Sequence, residues 1–204
     1  MYNLKSCGGE EAVLCQLQQL QHLDVSDDRD HPLDLLHPLR HDVSWLLRDP
    51  HRFPHLVSLD LSGKDGLTVA ALRSFLEAHP KMRFLGLMQT DACFDDFFTR
   101  ELPSHSDLVI TGCADERQIL EALRRYPDRP YYVQKSLYYL YQYTLSYSQP
   151  RVDVIQISTS ETSSLGAKPE YMERLLRIVK SKLYAGEVDI MMKFTLSALW
   201  NLTG

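Results

Sequence analysis

The chain has 204 residues, 44% of them hydrophobic and 24% charged, a balance that argues against a disordered polypeptide and suits a globular or repeat protein of one or two domains. Its net charge of −5 at pH 7 offers no basic field to nucleic acid or to an anionic membrane, so neither is an expected partner. No apolar run reaches the roughly 20 residues of a membrane-spanning helix, and "MYNLKSCGGEE" lacks a signal-peptide core, so a cytoplasmic or nuclear location is expected.

In chain order, "LQHLDV", "LVSLDL" and "MRFLGL" place Leu20, Leu23 and Val25, then Leu56, Leu59 and Leu61, then Met82, Leu85 and Leu87 in L-x-x-L-x-L spacing. A looser fourth copy, "HSDLVI", carries Leu108 and Ile110. Residues two apart share one face of an extended segment, so each string predicts a short, half-buried strand. The steps from Leu23 to Leu59, to Leu85 and to Leu108 are 36, 26 and 23 residues, the last two within the leucine-rich-repeat range of about 20 to 29.

After the strands, "SWLLRDP", "TVAALRSFLEAHP" and "DERQILEALRRYP" predict helices that each end at a proline. Val69, Leu72, Phe75 and Leu76 share one face of the second, and Ile119, Leu120 and Leu123 one face of the third. The expected fold for residues 1–125 is an α/β leucine-rich-repeat solenoid. An α/β domain with no true repeat is the alternative, because short strings mimic self-similarity.

Chemical motifs in this half are sparse. His31, His37, His41, His51 and His55 crowd the insertion after the first strand, near Asp27, Asp28 and Asp30, but prolines interrupt them and no H-E-x-x-H or paired cysteine assists a metal. "LSGKDGL" has a Gly-Lys without the phosphate-cradling loop and reads as a polar turn. Asp95 and Asp96 in "CFDDFF" read as a cap or loop. Cys7, Cys15, Cys93 and Cys113 form no C-x-x-C pair and read as small buried residues. No nucleophile elbow or Cys-His arrangement is present, so no catalytic residue, cofactor or metal is expected.

From Tyr126 the pattern becomes helical. "YYVQKSLYYLYQYTLSY" holds about 17 residues of helix, with Val133, Leu137, Leu140 and Thr144 on one line and Tyr138, Tyr141 and Leu145 on the next. Its tyrosines lack the basic groove that base stacking needs and read as packing. Residues 148–169 predict a long loop, extended in part at Val152–Ile157. "PEYMERLLRIVKSKLYAG" and "EVDIMMKFTLSALWNLT" predict two further helices, the first with a proline start and a glycine stop.

On the last helix Met191, Phe194, Ala198 and Leu202 form one apolar line, with Val188, Met192, Thr195 and Leu199 beside it. Asp189, Lys193, Ser197 and Asn201 line the opposite side, and Trp200 stands at the border as an expected packing residue. Residues 126–204 are thus expected to begin an all-α armadillo-like solenoid.

The order of these segments, with a tyrosine-rich junction helix and the string "KFTLSALWNLT", resembles the Zyg-11 family, including its Zer-1 branch, over essentially the whole chain. The resemblance implies a non-catalytic substrate receptor of a cullin-2 ubiquitin ligase that recognises proteins with an N-terminal glycine and delivers them for degradation. It places Trp200 and Asn201 in the glycine-binding pocket. There a flat indole against the first Cα leaves no room for a Cβ and offers its face to the ammonium, while Asn201 hydrogen-bonds the first peptide group. The family motif continues to an aspartate where this sequence has Gly204, and the family's elongin–cullin binding box precedes the repeats. The chain is therefore expected to span the leucine-rich repeats and first armadillo-like repeat only, and to bind glycine-ended peptides weakly or not at all. The alternatives are a leucine-rich/armadillo interaction scaffold without glycine recognition and, from another class, a metal-dependent hydrolase.

Overall fold

Leu23 and Val25, Leu59 and Leu61, and Leu85 and Leu87 alternate with polar or small residues, and all six are buried. Their segments form β1 (His22–Asp24), β2 (Ser58–Asp60) and β3 (Phe84–Gly86), which β4 (Val109–Thr111) completes as a four-stranded parallel sheet in the order β1-β2-β3-β4. The computed structural model describes residues 17–27, 42–102, 107–148, 169–185 and 189–203. The chain divides into two compact units, Met1–Arg125 and Tyr126–Gly204.

In the first unit the register aligns Leu23, Leu59, Leu85 and Ile110. Ile110, and not Leu108, therefore occupies the equivalent position on the fourth strand. A slip of two residues leaves the same side chains facing the core, so the hydrophobic pattern does not distinguish the two alignments.

The connections overturn the solenoid. Among the described residues, the link between β1 and β2 contains the four-residue α1 (Ser44–Leu47), and that between β2 and β3 the ten-residue α2 (Val69–Ala78). Between β3 and β4 lie a 3₁₀ turn (Asp91–Phe94) and a π-helical turn (Phe97–Glu101), and α3 (Glu116–Arg125) follows β4. Among the described residues no structural unit recurs. A solenoid needs equivalent connections that stack on their neighbours, whereas the leucine spacing specifies only strand side and register. The unit is a small α/β domain.

Local chemistry closes the turns after the strands. The Ser26 and Ser62 amides donate to Asp24 Oδ1 at 2.9 Å and Asp60 Oδ1 at 3.1 Å, and Ser44 repeats the turn on Asp42 at 2.8 Å. Beyond them the Lys64 ammonium lies 3.6 Å from Asp27 Oδ2, both side chains 7% exposed. The "LSGKDGL" string is thus a turn that inserts a buried lysine. Thr68 caps α2 by accepting from the Ala71 amide at 3.2 Å, and Asp115 caps α3 by accepting from the Gln118 amide at 2.9 Å.

Gln89 follows β3 with φ 58°, two registers beyond Leu87, where the chain after β2 uses Gly63 at φ 74°. Its buried Nε2 has no hydrogen-bond partner among the described residues. A left-handed conformation costs an L-residue roughly 1–2 kcal/mol, which glycine avoids at an entropic cost of about half that. Gln89→Gly is expected to raise stability by about 1 kcal/mol, read as a higher urea midpoint with unchanged slope. A lower midpoint refutes the strain.

The second unit contains α4 (Pro130–Ser148), α5 (Pro169–Ala185) and α6 (Ile190–Thr203). Pro130 opens α4, where its missing N–H leaves no bond unmade. Helix α6 packs against both α4 and α5. Phe194 of α6 meets Tyr138 edge-on at 5.4 Å and stacks with Tyr141 at 5.8 Å. Two helices on one shared element, with no second copy of a helical repeat among the described residues, correct the armadillo-like solenoid to a small helical unit. Of the loop predicted over residues 148–169, Ser148 ends α4 and Pro169 begins α5, while residues 149–168, with the extended stretch, lie outside the described residues.

Candidate functional site

Asp189 starts α6 by accepting from the Met192 amide at 3.0 Å and, through its carbonyl, from the Lys193 amide at 3.2 Å. That start sets the helix phase. Met192, Thr195 and Ala198 are buried, and Met191, Phe194 and Leu199 half-buried. The Thr195 hydroxyl donates to the Met191 carbonyl at 2.7 Å, which satisfies it inside the apolar contact.

The two predicted site residues follow one another near the end of α6 and differ in environment. Trp200 is 77% exposed. This corrects the expectation of a packing border: a wheel position specifies an angle, while exposure depends on which neighbours fill that angle. Leu196, one turn earlier, is also exposed. Asn201, about 100° further round the helix, is half-buried, and its Nδ2 donates to Thr144 Oγ1 on α4 at 3.2 Å. The Thr144 hydroxyl in turn donates to the Tyr141 carbonyl at 3.0 Å.

Thr144 was missed as a site residue. Its position on the apolar line with Leu137 and Leu140 was the available signal, since a polar side chain there must find a partner.

The other motifs resolve into structural roles. Asp95 Oδ1 accepts from the Phe97 amide at 2.9 Å, and Asp96 pairs with Arg100 at 3.4 Å. His31, His37 and His41 lie outside the described residues, as do Cys7 and Cys15. Among the described residues no three His, Cys, Asp or Glu side chains converge as a metal site. Cys93 and Cys113 are buried thiols outside any disulfide, and burial pushes the Cys93 thiol up to about 11, so it is protonated and poorly nucleophilic at neutral pH. Among the described residues no helix is long and apolar enough to cross a membrane.

Residues 150–204, which include Trp200 and Asn201, match the family described as "Protein zer-1 homolog-like, C-terminal domain". The match covers about a quarter of the chain and supports the resemblance to the Zyg-11/Zer-1 family there. It does not extend to the first unit. No solved structure matches the chain.

Proposed function

We propose that the chain is a non-catalytic substrate-recognition protein of the Zyg-11/Zer-1 type, whose second unit binds the N-terminal glycine of protein substrates for ubiquitination through a cullin-2 ligase. The family match over residues 150–204 supports the receptor reading. The observation that carries the site is a tryptophan 77% exposed next to an asparagine whose amide is anchored by a hydrogen bond to another helix.

An exposed indole offers a flat apolar face and attracts an ammonium, and burial of that face supplies the driving force. An alanine-sized first residue lifts the peptide off the ring. Asn201 supplies a neutral polar contact and no charge, so the expected affinity is weak, on the order of millimolar.

The test is an NMR titration of the 15N-labelled chain with a peptide that begins with unblocked glycine, alongside its N-acetylated and alanine-first analogues. The Trp200 indole and Asn201 carboxamide signals are expected to shift with the first peptide and at least about fivefold less with the others. Equal shifts with all three, or none, refute glycine recognition. Binding of elongin or cullin-2 is a separate measurement, by pull-down with the purified ligase subunits.

A further inference from the structure

Resting on the reading of Trp200 and Asn201 as a recognition site, we infer that Thr144 is its positioning residue and determines the hydrogen-bond polarity that Asn201 presents to a ligand. Thr144 is fully buried on α4, and its hydroxyl has a single hydrogen, which goes to the Tyr141 carbonyl at 3.0 Å. Toward Asn201 the oxygen therefore only accepts. The carboxamide meets it with Nδ2, at 3.2 Å across 57 residues of sequence.

A flipped amide would set its carbonyl oxygen against the lone pairs of an oxygen that has no hydrogen left to give. Its nitrogen is thus turned inward, and Oδ1 accepts no hydrogen bond among the described residues. The presented atom is an acceptor. The complementary ligand atom is a donor, a protonated amine or a peptide N–H, while a carbonyl or carboxylate oxygen is repelled. Next to the Trp200 face, the chemistry favours the amino end of a polypeptide over its carboxyl end.

The experiment compares the wild-type chain with Thr144→Val, which keeps the shape and removes the hydroxyl, and Thr144→Ser, which restores the hydroxyl. The Asn201 side-chain NH2 is followed by 15N NMR without ligand and then with the unblocked glycine peptide. In the wild type and Thr144→Ser, one carboxamide hydrogen is expected to exchange slowly with water; in Thr144→Val that protection is lost. Peptide binding is expected to weaken at least about fivefold in Thr144→Val and to stay within about twofold of wild type in Thr144→Ser.

Unchanged carboxamide exchange in Thr144→Val overturns the positioning role, as does unchanged peptide binding when the wild type binds. Loss of protection in Thr144→Val, with no binding by any of the three chains, identifies failure of the glycine reading and sinks the inference about ligand polarity with it. A Thr144→Val chain that is unfolded by its amide spectrum, while Thr144→Ser shows wild-type protection and binding, still supports the hydroxyl's role.

Discussion

Lys64→Met is expected to destabilise the first unit by about 3 kcal/mol, because it leaves Asp27 as a buried carboxylate without its cation. The two side chains are each 7% exposed and their charged atoms 3.6 Å apart, so water cannot replace the lost ammonium without reopening the turn. Methionine fills the same volume, which separates loss of charge from loss of packing. Trp45 lies in the first unit and is one of the chain's two tryptophans, so its fluorescence in a Trp200→Phe background reports that unit alone. The double variant Asp27→Leu/Lys64→Met is expected to recover most of the loss, since a buried ion pair replaced by apolar residues is often nearly neutral. A single variant within about 0.5 kcal/mol of the parent shows that the pair is solvated in solution.

Gly86→Ala is the second large effect, expected to cost about 2–3 kcal/mol despite alanine's lower backbone entropy in the unfolded chain. The register sets Gly86 beside Asp60, and a Cβ there overlaps the buried Asp60 carboxylate and comes within 3.0 Å of Ser62 Oγ. That carboxylate accepts from the Ser62 amide at 3.1 Å, and Ser62 Oγ accepts from the Met88 amide at 3.1 Å. A displaced carboxylate therefore strains both turns. The same urea measurement checks it, and in an Asp60→Ala background the cost is expected to fall by at least about 1 kcal/mol. Equal costs in both backgrounds place the strain elsewhere.

These two positions mark a boundary in what was legible. The leucine strings identified all four strands, because a period of two is a property of the extended backbone itself. They did not identify the register of β4, since Leu108 and Ile110 lie on the same face. Nor did they distinguish a stack of repeats from a sheet whose connections differ, and α1, α2 and the 3₁₀ and π turns differ in length and helix type. Lys64 read as a polar turn residue for the same reason. Its burial comes from Asp27, 37 residues earlier in the chain.

In the second unit, apolar lines with a proline start or a glycine stop sufficed to locate α4, α5 and α6. The family string singled out Trp200 and Asn201, but the exposure of one and the anchoring of the other were not in it. A helical wheel gives each side chain a direction and says nothing of what stands there.

The sequence by itself determined the strands, the main helices and the acidic charge, and its family resemblance singled out the pair of residues worth testing. The strands and helices depend on local periodicity and on chemistry within a few residues. Only the tertiary structure decided that no repeat stacks among the described residues, that Lys64 and Asp60 are buried, that Trp200 faces solvent, and that Asn201 is held by Thr144. Each of these depends on residues far apart in the chain that meet only when apolar burial brings their segments together.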